Sequence, residues 1–215
     1  MGKGYSHVIW DWNGTLFDDA AWCVEVINAL LNKRGINTID SIDKYRNVFR
    51  FPVIEYYRDI GFDLDAEPFE DIAEEYIKLY HSGNSGNCQL FPQTSTVLSA
   101  IKSEGIAQVI LSASETQNLM LQINEFDILG YFDSILGQSD IYAKSKQEVG
   151  LDYIRNERVA KAVLIGDTVH DYEVARALGI DCILICNGHQ HRDILRTCNV
   201  PILNDIADVP KFLYD

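Results

Sequence analysis

The 215-residue chain predicts an α/β protein, a parallel sheet with a helical unit inserted after its first strand. Three observations lead there. From about residue 93 onward, short apolar runs alternate with amphipathic stretches of helical period, the pattern of βα units joined by right-handed crossovers. An isolated apolar run, Val8-Ile9-Trp10, stands near the N-terminus, far from the others. Between residues 18 and 87 the apolar positions keep helical spacing alone. The expected division is a core of residues 1–17 and 88–215 and a helical insert of residues 18–87.

Val8-Ile9-Trp10 is short enough for a buried strand, and it ends at the carboxylate of Asp11 before a turn through Gly14. Over residues 18–33 the apolar side chains of Trp22, Val26, Ala29 and Leu30 predict a helix, with Gly35 as its stop. A second, more polar helix is expected over 39–49. A third is expected over 52–60, with Pro52 at its start and Gly61 at its end. Over 68–81, Phe69, Ile72, Ala73, Tyr76, Ile77 and Tyr80 make one stripe of a fourth, and the Gly/Asn/Ser run at 83–87 reads as a connection. Then come a helix over 93–105, a strand over 108–111 ending at Ser112, a helix over 116–126 and a short strand over 134–136. A helix over 146–156 follows, then a strand over 162–165 ending at Gly166-Asp167 and a helix over 171–178 closed by Gly179. The last elements are a strand over 182–186, a helical segment over 191–197, and an edge strand at 201–203, where Pro201 is tolerated.

Composition narrows the function. Hydrophobic residues make up 47% of the chain, enough for a substantial core, and the net charge is −14. That charge argues against nucleic acid as a partner, since phosphate backbones require a basic surface. It still permits a local anion site built from a metal, a lysine and backbone N–H groups. No apolar run approaches the ~18 residues of a membrane span, and Met1-Gly2-Lys3-Gly4-Tyr5 has no apolar signal segment, so a cytoplasmic protein without membrane partners is expected. The five cysteines are odd in number and scattered, which suits reduced thiols. Cys182, Cys186, His189 and His191 invite a metal reading. However, Cys182 and Cys186 sit in a strand at ~3.3 Å per residue, which separates their sulfurs by roughly 13 Å, and a shared zinc needs each within ~2.3 Å. Both cysteines are therefore expected in the core.

The chemistry lies at strand ends. Asp11, Ser112 and Asp167 each follow an apolar run, and in a parallel sheet those ends share one edge. Asp171 follows Asp167 by four residues, a spacing that keeps both carboxylates near the same mouth at a helix start. Such a carboxylate set suits Mg²⁺, which takes few protein oxygens and keeps positions for water or substrate phosphate. Lys144 and Lys146 could each bring a point charge to the same edge. The alternative for Asp171 is a helix cap, and for Ser112 a simple strand-end hydroxyl.

In this order, the residues resemble the haloacid dehalogenase (HAD) superfamily, and within it the phosphoglycolate phosphatase-like group with a small helical cap. Asp11-Trp12-Asn13-Gly14-Thr15-Leu16 is similar to the family's first motif, Val109-Ile110-Leu111-Ser112 to its second, Lys146 to its lysine, and Gly166-Asp167-Thr168-Val169-His170-Asp171 to its fourth. The resemblance implies a Rossmann-like core, a cap over the site and a small phosphorylated metabolite as substrate. It implies Asp11 as nucleophile, and Mg²⁺ on Asp11, the backbone carbonyl of Asn13, Asp167 and Asp171. Lys146, with Lys144 as the alternative, would offset the repulsion between carboxylate and phosphate. Ser112 and the N–H groups near Trp12, Asn13 and Ala113 would hold phosphoryl oxygens. Arg50, between two cap helices, could reach a substrate carboxylate, although a solvated loop position is the simpler expectation.

One position departs from the family pattern. The family's phosphatases carry a second Asp two residues after the nucleophile, as the acid and base of the reaction; here Asn13 stands there. General acid–base catalysis is worth about 10²–10⁴-fold, or roughly 3–5 kcal/mol of barrier. Slow turnover of alkyl phosphates, a preference for acyl or aryl phosphates, or a proton from a neighbour such as His170 would each be consistent. The alternatives are a phospholigand-binding protein without turnover, a phosphonatase or a dehalogenase. The retained Asp167 and Asp171 argue against a metal-free dehalogenase. None of Lys33, Lys44 and Lys78 stands out as the Schiff-base lysine of a phosphonatase.

Overall fold

The computed structural model describes residues 4–83, 88–138 and 145–214. Six strands form one parallel sheet: β1 (His7–Trp10), β4 (Ala107–Glu115), β5 (Ser134–Gln138), β6 (Ala162–Gly166), β7 (Asp181–Ile185) and β8 (Ile202–Leu203). Their order is β5-β4-β1-β6-β7-β8, so the first strand lies at the centre. A short antiparallel ribbon joins β2 (Phe17–Asp18) to β3 (Gln89–Leu90). Between those two strands the chain runs through four helices, α1 (Ala20–Lys33), α2 (Ile42–Val48), α3 (Val53–Asp59) and α4 (Phe69–Gly83).

Alternation along the strands divides the remaining helices between two faces. Val8 and Trp10 of β1, Ile110 of β4 and Val163 and Ile165 of β6 pack with residues of α5 (Thr94–Ser103), α6 (Thr116–Glu125) and α10 (Val209–Tyr214). Their strand neighbours Ile9, Val109, Leu111 and Leu164 point the other way. There they pack with α7 (Lys146–Asn156), α8 (Val169–Leu178) and α9 (Arg192–Leu195). The four inserted helices have a buried cluster of their own, built from Val26, Ile27, Leu30 and Leu31 of α1, Tyr45 of α2, Tyr56 and Tyr57 of α3, and Ile72 and Tyr80 of α4. Leu30 is wholly buried in that cluster. Leu30→Ala should therefore cost about 2–5 kcal/mol in urea unfolding, the range for emptying a packed leucine site.

The predicted elements shift at their ends for local reasons. The second helix starts at Ile42, three residues late, because the Ser41 hydroxyl caps it on the Lys44 N–H. The helix expected from Asp171 starts two residues earlier, since Thr168 and Asp171 form a reciprocal capping box. The strand expected to stop at Leu111 runs on to Glu115, with its register against β5 shifting between Leu111 and Glu115. Cys182 belongs to the core as expected, but Cys186 lies past the end of β7 and only half-buried, so its placement as a core residue is corrected. The β2–β3 ribbon was not predicted, because two residues per strand are too few to display a period.

Candidate active site

β1 pairs with β4 on one side and β6 on the other, with Trp10 opposite both Ile110 and Ile165. The residues that follow are thereby brought to one edge, and the Asp11 N–H continues the ladder onto the Ile165 carbonyl at 2.9 Å. Carboxylate oxygens of Asp11, Asp167 and Asp171 lie within 4.8 Å of one another, all buried. The Lys146 ammonium bridges Asp11 Oδ1 and Asp171 Oδ1 at 2.6 Å each. The Thr15 hydroxyl lies 3.3 Å from Asp11 Oδ2 and 3.2 Å from Asp167 Oδ1. The other Asp171 oxygen accepts from the Thr168 N–H and hydroxyl and from the Asp167 N–H. Asp171 is therefore both a helix cap and a partner of the lysine.

Lys146 opens α7, where Ser145 and Glu148 make a capping box that sets the helix start and with it the lysine's direction. Lys144 lies outside the described residues. A cavity of about 120 Å³ is lined by Asp11, Asn13, Ser112, Ala113, Lys146 and Asp167, among others. That is the volume of a few water molecules. The Ser112 hydroxyl is buried there and accepts from the Ser114 N–H at 3.0 Å. The Trp12 indole lies elsewhere: it is wholly buried, stacks on Phe17 and donates to Gln122 at 2.8 Å, while its backbone N–H favours the charged form of Asp11. His170 lines the cavity with its ring stacked on Phe51. Arg50 is not brought to it. Its guanidinium is half-exposed and lies 2.7 Å from Asp59, because α3 presents Glu55 and Asp59 one turn apart beside it.

Burial pushes Asp11 up to about 6, against the pull of Lys146. Burial likewise pushes Asp167 up to about 8: the His189 charge opposes this, while Asp11 and Asp171 add to it. Asp171 stays below the ordinary carboxylate range despite burial, because Lys146 and Thr168 hold its charged form. Burial disfavours the Lys146 charge too, but Asp11 and Asp171 outweigh it and keep it an ammonium. Carboxylates whose charged forms burial and crowding disfavour mark a place where positive charge is short. The hard oxygen donors fit a divalent ion such as Mg²⁺.

Reasoning from sequence missed the surroundings of Asn13. Its amide N–H₂ donates to Asp19 Oδ2 at 2.8 Å and to the Tyr80 hydroxyl at 3.2 Å, and its carbonyl oxygen accepts from the Ser114 hydroxyl at 2.8 Å. Asp19 is buried and ion-paired to His189 Nε2 at 3.2 Å, and Tyr45 contacts the other ring nitrogen at 2.9 Å. Burial opposes the His189 charge, yet Asp19 raises it to about 9. The signal for His189 was its position beyond the end of β7, on the same sheet edge. Gly188, just before it, is packed so closely that a Cβ would lie 2.1 Å from Asp167 Oδ2 and 2.3 Å from the Gly14 carbonyl. Neither neighbour can swing away, so Gly188→Ala should lower stability by about 1–3 kcal/mol in chemical denaturation.

The chain is similar to known proteins along most of its length. Residues 8–185 match the family model described as haloacid dehalogenase-like hydrolase. A phosphoglycolate phosphatase of Caulobacter vibrioides is 25% identical over 95% of this chain and 89% of its own length. The tyrosine-protein kinase PtkA of Mycobacterium tuberculosis is 24% identical over 98% of this chain and 72% of its length. Among solved structures, a haloacid dehalogenase-like family hydrolase of Streptococcus pneumoniae superposes with a TM-score of 0.82 at 22% identity, covering 97% of this chain and 98% of that one.

Proposed function

The chain belongs to the haloacid dehalogenase-like hydrolases, and from that premise we propose that it is a Mg²⁺-dependent phosphatase acting on a small phosphorylated metabolite through an aspartyl-phosphate on Asp11. The observation that carries this reading is the Asp11–Lys146–Asp171 linkage, beside Asp167 and the Ser112 hydroxyl, at a cavity on the sheet edge. Relatives named phosphoglycolate phosphatase support it. In this proposal residues 18–87 form the cap, which covers the site and excludes water, on a core of residues 1–17 and 88–215.

An oxygen of Asp11 attacks phosphorus, and the bond from phosphorus to the ester oxygen breaks with its electron pair going to the leaving group. Water then attacks the phosphoryl group, the bond to Asp11 breaks, and inorganic phosphate leaves. Lys146 keeps Asp11 ionised and oriented and compensates the negative charge that gathers between carboxylate and phosphate. Ser112 and the N–H groups near Trp12, Asn13 and Ala113 hold phosphoryl oxygens. Asp11, Asp167 and the Asn13 carbonyl, with Asp171 directly or through water, would hold Mg²⁺, whose charge would stabilise the phosphoryl oxygens. The Asn13 amide can orient neighbours but cannot transfer a proton, so substrates whose leaving oxygen needs no acid should react best.

The test is phosphate release from 4-nitrophenyl phosphate, acetyl phosphate and glycerol phosphate, with Mg²⁺ and with EDTA. Release from the first two with Mg²⁺, and loss in EDTA, is expected. Equal rates in EDTA would remove the metal from the proposal. No release from any substrate would favour a phospholigand-binding protein, the reading that Asn13 keeps open.

A further inference from the structure

A second cavity, of about 810 Å³, adjoins the small one, and the two share Asn13, Phe49, Phe51, Ala113 and His189. It lies between the four inserted helices and the sheet edge, since its lining comes from α1 to α4 on one side and from residues around Ser114 and His189 on the other. This volume is within the ~300–1,000 Å³ typical of small-molecule sites, and a glycolate-sized group would leave most of it empty.

Its walls are aromatic: Tyr45, Phe49, Tyr56, Tyr57, Tyr76 and Tyr80 all line it. Among the described residues, no Lys or Arg lines it, whereas two acids, Asp19 and Glu115, do. The imidazolium of His189 is already matched by Asp19. Among the described residues, a substrate tail bearing a carboxylate would therefore meet two acids and no free Lys or Arg, and burial holds the other lining histidine, His81, toward its neutral form, so the tail would lose its hydration without a compensating charge. Tyr56 adds an independent observation. Its side chain is 3% exposed, and its hydroxyl has no hydrogen-bond partner among the described residues. Buried hydroxyls are normally satisfied, and this one, on a residue of the cavity wall, is not.

We infer that the substrate is a small aryl phosphate monoester, with its uncharged ring system in this cavity and its phosphate beside Asp11. The inference rests on the phosphatase reading and deepens it. It also accounts for Asn13. When the ester bond breaks, the electron pair goes to a phenolic oxygen with pKa about 10, which departs as phenolate without a proton donor and is protonated afterwards by water. An alkoxide is far more basic and needs the acid that position 13 lacks.

The experiment is calorimetric titration of the full chain, in Mg²⁺, with three phosphonates that cannot be hydrolysed. Naphthylmethylphosphonate should bind at least about tenfold more tightly than methylphosphonate, given the apolar area of the ring system. It should exceed 3-phosphonopropionate, the carboxylate-bearing mimic of phosphoglycolate, by a similar factor. Ile77 lines the cavity and is 47% exposed, so its replacement should leave the fold intact. Ile77→Arg should strengthen 3-phosphonopropionate and weaken the naphthyl compound, each severalfold. Equal or tighter binding of 3-phosphonopropionate by the wild type would overturn the inference, as would affinities untouched by Ile77→Arg. Tight naphthyl binding without hydrolysis of any aryl phosphate would uphold the ligand class while sinking the phosphatase reading.

Discussion

Asp11→Asn is expected to lower phosphate release by about 10⁴–10⁶-fold, the scale on which enzymes lose rate when a covalent nucleophile is removed. The variant should fold. Asn keeps an oxygen that can accept from Lys146 where Asp11 Oδ1 does, at 2.6 Å, and it removes one of three crowded carboxylates. The pH dependence has a definite sign. The folded-state pKa of Asp11 is raised by burial from 3.8 to about 6, so ionising it costs stability across that interval. Below it, both forms of the chain carry a neutral group and should be equally stable. Above pH ~6, with EDTA present, the variant's melting temperature should equal or exceed that of the wild type. Hydrolysis that survives Asp11→Asn would refute the covalent mechanism, and a variant that fails to fold would refute the account of the charge cluster.

Asn13→Asp is expected to raise turnover of alkyl phosphates by about 10²–10⁴-fold and of aryl phosphates by far less, because only the former need a general acid. The surroundings of the position make this sharper than a motif comparison would. The Asn13 amide nitrogen sits 2.8 Å from Asp19 Oδ2. A carboxyl placed there faces a buried carboxylate, and two such groups raise one pKa strongly. The new group would hold its proton near neutrality, as a general acid must. It should also make the protein less stable as pH rises from about 5 to about 8, since the raised pKa penalises ionisation in the folded state alone. Initial rates on glycerol phosphate and 4-nitrophenyl phosphate, with melting curves across that range, read both effects. A folded variant with no gain on glycerol phosphate would show that position 13 does not limit the reaction.

The two substitutions also mark how much of the site was legible in the chain. Asp11, Ser112 and Asp167 follow apolar runs directly, and parallel pairing of β1 with β4 and β6 leaves such residues on a common edge. Lys146 was legible as a helix opener, and Ser145 with Glu148 sharpens that signal into a capping box. Arg50 was expected more simply in a solvated loop, and there its neighbours Glu55 and Asp59, one helical turn apart, engage it. His189 was weighed only for a zinc site with cysteines, and its partner Asp19 lies 170 residues away in the chain, a contact that no local pattern records.

By itself, the sequence determined the alternation of the main-sheet strands with helices, the place of the inserted helices and the polar side chains at the strand ends. Period and turn chemistry are local, and a parallel sheet converts local order into a shared edge. Only the tertiary structure decided what surrounds Asn13 and what lines the large cavity. Period tells which face of a helix is buried, but the partners on that face depend on how α1 to α4 seat against the sheet edge. That seating brought Asp19, Tyr80 and Ser114 onto one amide, and placed a wall of aromatic rings beside Asp11.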